Sequence, residues 1–141
     1  MKRYLLNDYI DILKKENLVE DVCLCDSILN TSIEKLEHNS KEVANNTLYI
    51  CKGLNYKPDY LNEAIVRGAT AYISEPENVT DPDFPHIVVN DIRKALAAVS
   101  CMYYDFPADK INMIGLTGTK GKSTTAYYIN SILDDYMKEL Y

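Results

Sequence analysis

The sequence predicts an α/β fold, in which helices pack against a sheet. Short segments rich in strand-forming residues alternate with helical patterns of about 10 to 15 residues, which is typical of this class. Hydrophobic residues make up 47% of the 141-residue chain and charged residues 26%, so the chain can bury a core without disulfides or a metal. Its length corresponds to one domain, or to one domain and part of another.

The first part of the chain contains one clear helical pattern and two weaker strand patterns. The helical pattern is followed by charged and polar residues, which end it. We expect short strands where Val19, Val22 and Leu24 alternate loosely, and again at 33–36. Five apolar side chains share one face of the predicted helix: Leu5, Leu6, Tyr9, Ile10 and Leu13.

A strand, a helix and a second strand are predicted in the middle of the chain. The apolar run 47–51 is rich in strand formers. Pro58 suits the first turn of a helix, where its missing N–H costs nothing. Gly68 stands where a left-handed residue ends a helix, and 69–74 is the next strand. The apolar face of this helix comprises Leu61, Ala64 and Ile65.

The last predicted elements are two strands and two helices. The run 86–89 is a short strand of the buried type, and Asp91 is a candidate N-cap for the helix that follows. We expect a domain boundary in the loop at 106–110 and a further strand at 111–116. The apolar face of the first of these two predicted helices comprises Ile92, Leu96, Val99 and Tyr103. The apolar face of the last predicted helix comprises Ala126, Ile129, Leu133, Met137 and Leu140.

Charge, hydropathy and cysteine spacing argue against several classes of protein. Lys and Arg number 15 against 21 Asp and Glu, giving a net charge of −6, so the chain lacks the basic footprint of a nucleic-acid-binding protein. No apolar run approaches the roughly 20 residues of a membrane helix, and the N-terminus turns polar too soon for a signal peptide. We expect a cytoplasmic protein with no nucleic-acid or membrane partner. The four cysteines lack metal-ligand spacing, so we expect reduced, buried thiols.

One glycine-rich segment carries a motif with recognisable chemistry. Gly115, Gly118 and Gly121 are three of the five glycines, and they lie between a predicted strand and a predicted helix. Glycines let the backbone turn tightly and aim N–H groups at phosphate oxygens, and a helix N-terminus adds further donors. This context predicts a phosphate-binding loop for ATP. The spacing departs from the common G-x-x-x-x-G-K-[ST] form, and a glycine-rich turn that caps a helix is the alternative.

The residues of this loop have separate predicted roles. Lys122 would reach the β- and γ-phosphates, which makes it the candidate catalytic residue, and the hydroxyl of Ser123 would ligate Mg²⁺. The predicted ATP-binding residues are Gly118, Thr119, Lys120, Gly121, Lys122, Ser123 and Thr124.

The T-G-T-x-G-K-[ST]-T form of the loop resembles the ATP loop of the Mur ligase superfamily, which includes the folylpolyglutamate synthases. Upstream, 38–43 resembles the D-S-R-x-V stretch of the MurE and MurF ligases, and 48–53 resembles their L-F-V-A-x-x-G strand. Residues 60–65, through 68–69, resemble the F-I-x-x-A-x-x-x-G-A helix of these ligases. Residues 90–96 and 103–107 resemble the helix and the F-Y-x-x-P that precede the ATP loop. The resemblance spans about 30–126, in family order, and favours the MurE type, the UDP-N-acetylmuramoyl-dipeptide ligases.

The resemblance implies two domains with separate ligands. A small mixed-sheet domain over 1–108 would bind the UDP end of UDP-MurNAc-L-Ala-D-Glu, and 109–141 would be the first strand, phosphate loop and helix of a truncated ATP-binding domain. Asn39 replaces the family's Asp and Lys41 its Arg, so planar, two-pronged hydrogen bonding to phosphate is lost. The matching substrate-binding positions are His38, Ser40, Leu54, Asn55 and Tyr56, although plain turn chemistry is the alternative for the serine and the asparagine.

The implied function is ATP-dependent amide ligation in peptidoglycan precursor synthesis. The enzyme would add the third amino acid, L-lysine or meso-diaminopimelate, to UDP-MurNAc-L-Ala-D-Glu, and Lys120 in the loop favours L-lysine. The alternatives are a MurF-type D-Ala-D-Ala ligase, a folylpolyglutamate synthase and a non-catalytic nucleotide-binding module. Because the acidic Mg²⁺ ligand and the family's later domains are not in the sequence, we expect an N-terminal fragment that is inactive alone and whose partners are the missing C-terminal domains.

Overall fold

The computed structural model describes residues 3–53 and 56–140, and the chain divides into two units, Met1–Pro107 and Ala108–Tyr141. The second unit contains α5 (Lys122–Leu140). Within the described ranges, no helix is both long and apolar enough to cross a membrane. The first unit contains, in chain order, β1 (Tyr4–Leu5), α1 (Leu6–Lys15), β2 (Val19–Cys23), α2 (Asp26–Leu29), β3 (Ser32–Ile33), β4 (Lys35–Glu37), β5 (Thr47–Ile50), α3 (Pro58–Val66), β6 (Ala69–Ser74), β7 (His86–Val89) and α4 (Ile92–Tyr103).

Five strands of the first unit form one mixed sheet in the order β2-β7-β6-β5-β4. The strands β4, β5, β6 and β7 run parallel, and β2 is antiparallel to β7 at one edge. The register places Glu37, Tyr49, Tyr72 and His86 in one row across the parallel strands. A separate antiparallel pair is formed by β1 and β3. The predicted α/β class and mixed sheet are confirmed.

Helices cover both faces of this sheet, and the alternation of side chains along β5 shows how the two cores are separated. Leu48 and Ile50 point into the core that contains α1 and α4. Tyr49 and Cys51 belong to the smaller core that contains α3. Because successive side chains on a strand point to opposite faces, the apolar run of β5 contributes to both cores.

Local chemistry explains where α3 and α4 begin and end. Pro58 occupies the first turn of α3. After that helix, Gly68 has a φ of +105° and donates its N–H back to the last turn at 3.0 Å. Asp91 caps α4, because its Oδ1 accepts the backbone N–H groups of Arg93 and Lys94, each at 3.0 Å. These predicted boundaries are confirmed.

Some predicted details of the first unit are wrong. Leu5 belongs to β1 and is 37% exposed, because α1 begins only at Leu6. The predicted strand at 33–36 is split between β3 and β4, which belong to different sheets. On α4, Leu96 and Tyr103 are only partly buried. The four-residue helix α2 was not predicted, because it is too short to show a helical period.

The cysteines differ from expectation in burial. All four are free thiols, as predicted, but only Cys51 is buried. Cys23 ends β2, which is an edge strand of the sheet among the described residues, and Cys25 lies just after it. Cys101 lies on an outward position of α4. The prediction of buried thiols is therefore wrong for three of the four.

The predicted strand at 111–116 is wrong: the structure describes this run as irregular backbone. Ile114 is 63% exposed, and within the described residues no strand pairs with the run. Because a strand exists only through hydrogen bonds to a neighbour, apolar composition alone does not form one. On α5, Ile129 is half-buried and Leu133 is exposed, whereas the side chains of Met137 and Leu140 lie outside the described residues.

Candidate nucleotide-binding site

The four parallel strands end at the same edge of the sheet. The residues that follow them are His38 after β4, Cys51 after β5, Glu75 after β6 and Asn90 after β7. In open α/β sheets, ligands bind in the crevice outside this carboxyl edge. Loops from separate parts of the sequence therefore meet at the place where a ligand is expected.

A cavity of about 550 Å³, here the first cavity, lies at this edge. Its volume is within the range of small-molecule sites, about 300–1,000 Å³. The structure brings together His38, Ser40 and Tyr56 in its lining, whereas Leu54 and Asn55 lie outside the described residues. The other lining residues are Asn39, Lys41, Tyr49, Lys52, Gly53 and Tyr60.

The loop after β4 is held in place by Glu37. Its Oε1 accepts the backbone N–H of His38 at 2.9 Å and that of Asn39 at 3.1 Å. The ammonium of Lys35 lies 3.5 Å from the other carboxylate oxygen. Partial burial would raise the pKa of Glu37, but these N–H donors and Lys35 together lower it. The charged carboxylate therefore anchors the loop that carries the predicted substrate residues.

A second anchor ties this loop to α3. Ser40 is 5% exposed, and its hydroxyl donates to Oε2 of Glu63 at 2.6 Å. Glu63 is held in turn by Arg67, whose Nε and Nη2 both lie 3.1 Å from its Oε1. The bond from Ser40 is the main cause that lowers the pKa of Glu63, and Arg67 adds to it against the opposing effect of burial. The position of Ser40 is thus fixed by an ionised carboxylate.

Three tyrosines form an aromatic part of the wall. Tyr49, Tyr56 and Tyr60 all line the first cavity. Burial raises the pKa of Tyr49 and of Tyr56. Burial also raises the pKa of the Cys51 thiol to about 12, although a hydrogen bond with Tyr56 lowers it in part. Tyr49, Tyr56 and Cys51 are therefore neutral at physiological pH, and the tyrosine rings offer a surface on which a planar ring can stack.

The second cavity, of about 460 Å³, shares Lys52 and Gly53 with the first. Two carboxylates occupy the start of α4 beside it: Glu75 accepts the N–H of Ile92 at 3.1 Å, and Asp91 accepts the next two N–H groups. The first-turn donors of α4 are therefore already used. Lys52 and Arg93 are the cations in its lining.

In the second unit, the predicted ATP residues 118–124 form a tight loop that enters α5. Gly118 has a φ of +146° and Gly121 has a φ of +79°. Residues with a Cβ rarely adopt these backbone conformations. Lys122 begins α5, and its Nζ donates to the carbonyl oxygen of Gly118 at 2.5 Å. The ammonium of Lys122 thus lies over the loop whose backbone N–H groups would meet a phosphate.

The loop fits a polyphosphate better than it fits a complete metal site. The 19-residue helix α5 begins at the loop, so its positive end and Lys122 favour an anion there. Ser123 offers one hydroxyl ligand for Mg²⁺. Among the residues that the structure describes, no group of three or more His, Cys, Asp or Glu is placed to hold a metal ion. From this loop, the hydroxyl of Ser123 would be the side-chain ligand available to a bound Mg²⁺.

Sequence reasoning did not single out several residues of the first cavity and its walls, among them Lys52, Glu63 and Arg67. Lys52 lines the first cavity, and it lies just after the buried strand β5 at the edge of the sheet where ligands bind. This position after a buried parallel strand could have identified Lys52 as a binding residue from the sequence. The bond between Glu63 and Ser40 joins residues 23 positions apart, and nothing in the sequence pattern indicated it. The placement of Arg67 four residues after Glu63 on α3 indicated only a surface ion pair.

Comparison with known proteins gives a consistent family. No protein-family model matches the chain. The UDP-N-acetylmuramoyl-L-alanyl-D-glutamate–L-lysine ligase of Enterococcus faecalis is 41% identical over 133 residues, covering 88% of this chain and 26% of that protein. The UDP-N-acetylmuramyl-tripeptide synthetase of Lactobacillus delbrueckii subsp. bulgaricus is 37% identical over 129 residues, covering 92% of this chain and 25% of that protein. The chain thus spans about a quarter of the length of these curated relatives.

Solved structures give the same fold. A crystal structure of MurF from Acinetobacter baumannii matches 96% of this chain and 28% of its own, with a TM-score of 0.60 and 21% identity. At that identity the likeness concerns the fold alone. The sequence relatives, which match 88–94% of this chain, relate it to the Mur ligases. Within this family, the sequence relatives are of the tripeptide-synthetase, or MurE, type.

Proposed function

We propose that the chain is the uridine-nucleotide-binding part, with the start of the ATP site, of a ligase that adds L-lysine to UDP-N-acetylmuramoyl-L-alanyl-D-glutamate. The observation that carries this proposal is that His38, Ser40 and Tyr56 line one cavity at the carboxyl edge of the sheet. The names of the relatives, which include L-lysine ligases, support the choice of amino acid. Lys120 in the loop favours the same choice.

In this proposal, residues 1–108 bind the UDP end of the substrate in the first cavity. Tyr56 would stack on the base, and Lys52 would offset the charge of the diphosphate. Asn39 and Lys41 stand where other family members have Asp and Arg, and Lys keeps the positive charge there. Asn55 and Leu54, which follow Gly53, belong to the same predicted set.

Residues 109–141 would supply the first part of the ATP site. Lys122 would neutralise charge on the β- and γ-phosphates, and Ser123 would take part in holding Mg²⁺, which shields the phosphate charge when bound. In the proposed reaction, a substrate carboxylate oxygen attacks the γ-phosphorus and ADP leaves. The amine of lysine then attacks the acyl carbon of the resulting acyl phosphate, and phosphate leaves. These steps need the further domains of the ligase, which we propose as partners of this chain.

We further propose a cytoplasmic location, because the nucleotide substrates and ATP named here are those of the cytoplasm. The acidic composition supports a protein that acts without a nucleic-acid or membrane partner.

Calorimetry tests the two sites separately on the 141-residue chain. UDP-N-acetylmuramoyl-L-alanyl-D-glutamate and ATP are titrated into the wild type, Ser40→Ala and Lys122→Ala. We expect Ser40→Ala to weaken binding of the uridine nucleotide about tenfold and to leave ATP binding unchanged, because a hydrogen bond between the nucleotide and a buried group is lost. Lys122→Ala should weaken the binding of ATP and leave the binding of the uridine nucleotide unchanged. A folded chain that binds no uridine nucleotide would contradict the proposal.

A further inference from the structure

The direction of one hydrogen bond restricts what Ser40 can offer to a ligand. A serine hydroxyl has one proton to donate and two lone pairs that accept. Ser40 Oγ lies 2.6 Å from Oε2 of Glu63, a carboxylate that Arg67 also holds and that can only accept. The hydroxyl proton of Ser40 is therefore committed to Glu63. Toward the first cavity, Ser40 has only lone pairs to present.

A ligand group that meets Ser40 must therefore be a hydrogen-bond donor. The oxygens of a diphosphate are acceptors, and the negative charge of Glu63, 2.6 Å from Ser40 Oγ, disfavours them further. Lys52 stands where the first cavity joins the second, and its ammonium suits the diphosphate there. The lone pairs of Ser40 and the tyrosine rings are left for the nucleobase.

We propose that Ser40 accepts the N3–H of a uracil base and that Glu63 is the positioning residue that keeps Ser40 an acceptor. Uracil carries a donor at N3, whereas cytosine carries a lone pair at the same atom. The pair Ser40–Glu63 thus selects uridine over cytidine nucleotides. This inference rests on the proposed function, because it assumes that the base of the nucleotide enters the first cavity.

The first test uses the wild-type chain of 141 residues and three probes, and it needs no variant to fold. Uridine 5′-diphosphate, cytidine 5′-diphosphate and N3-methyluridine 5′-diphosphate are titrated by calorimetry. Cytidine diphosphate and N3-methyluridine diphosphate lack the N3 donor. At that position the first places a lone pair, and the second a methyl group, against the lone pairs of Ser40. Both should bind at least about tenfold more weakly, because the acceptor is then buried without a partner.

The second test changes the positioning residue. In Glu63→Gln the side chain keeps its size but gains an N–H donor, so it can bond to an Oγ lone pair and free the hydroxyl proton to face the ligand. The preference for uridine over cytidine diphosphate should then fall about threefold or more. Glu77→Gln is the matched control, because it removes one exposed carboxylate in the loop after β6 that lines neither the first nor the second cavity, and it should keep the wild-type ratio. Far-UV circular dichroism verifies that each variant is folded.

The outcomes separate this inference from the proposed function. Uridine diphosphate binding with a base preference that Glu63→Gln reduces supports both. If uridine diphosphate binds but N3-methylation has no effect, or if Glu63→Gln weakens both nucleotides equally, the role of Ser40 as acceptor is overturned and the uridine site remains. If the folded wild-type chain binds no uridine diphosphate, the proposed function and the inference are both overturned.

Discussion

Replacement of Gly68 by alanine tests how tightly the end of α3 is fixed. Gly68 has a φ of +105°, a conformation that a residue with a Cβ rarely adopts. A Cβ built there would lie 3.1 Å from both the backbone N and the Cα of Asn45, and it would overlap the side-chain oxygen of Asn45. Because β6 begins at the next residue, Ala69, the chain has little freedom to move away.

Two costs add at this position. A residue with a Cβ in a left-handed conformation costs about 1–2 kcal/mol. An overlap forced into a packed region costs about 1–3 kcal/mol more. Gly68→Ala should therefore lower the free energy of unfolding by about 2–5 kcal/mol, against a usual total of about 5–15 kcal/mol. Gly53 is the matched control: its φ is +128°, and a Cβ there would meet no atom of the described residues within 4 Å.

Urea unfolding followed by far-UV circular dichroism measures both variants. The lower entropy of alanine in the unfolded chain is common to the two and cancels in their comparison. We expect Gly68→Ala to be less stable than Gly53→Ala by about 1–3 kcal/mol, with the same dependence on urea concentration. Equal stability of the two variants would show that Asn45 does not confine Gly68, and it would refute the reasoning.

Three further predictions concern the thiols, the carboxylates and a buried hydroxyl. At pH 8, a thiol reagent should modify the exposed Cys23, Cys25 and Cys101 quickly, and Cys51 only after denaturation. The reason is that Cys51 is 1% exposed and its pKa is raised to about 12. Equal modification rates for all four cysteines would contradict this prediction. Folding lowers the pKa values of Glu63 and Asp91 below their values of about 4 in the unfolded chain. The charged carboxylates therefore stabilise the folded chain fully above about pH 4, and this stabilisation is lost as the pH falls through the pKa values of the folded chain. The double variant Glu63→Gln, Asp91→Asn should therefore lose less stability than the wild type between pH 5 and pH 2, measured by urea unfolding. Tyr72→Phe removes a hydrogen bond of 2.8 Å to the carbonyl oxygen of Asp81 and should cost about 1 kcal/mol in the same assay, and no change would mean that the bond contributes nothing.

Much of the fold could be predicted because its buried strands are continuous apolar runs with clear limits. Gly68 precedes β6 and Pro85 precedes β7, and both strands have the predicted bounds. The same reasoning was wrong at 111–116. That run has similar composition, but strand formation depends on a neighbour, and the sequence of a segment does not contain its neighbour. Short elements such as α2 leave no period to detect.

The candidate site could be predicted in part, because strand ends mark the binding edge of a parallel sheet. His38 and Ser40 follow β4, and Tyr56 lies in the loop after β5, so topology brings them to one cavity. The hydrogen bond from Ser40 to Glu63 could not be predicted, because it depends on how α3 packs against that loop. The chemistry that makes Ser40 an acceptor is therefore a property of the folded chain.

The central claim is that the first cavity binds a uridine nucleotide. The most direct measurement is a titration of the ¹⁵N-labelled 141-residue chain with uridine 5′-diphosphate, followed by amide chemical shifts in two-dimensional NMR spectra. The largest shifts should fall at 38–41, 52, 53 and 56, which line the first cavity, with α5 little changed. Shifts concentrated in the glycine-rich loop before α5, or a spectrum of folded protein that does not change at millimolar nucleotide, would contradict the claim.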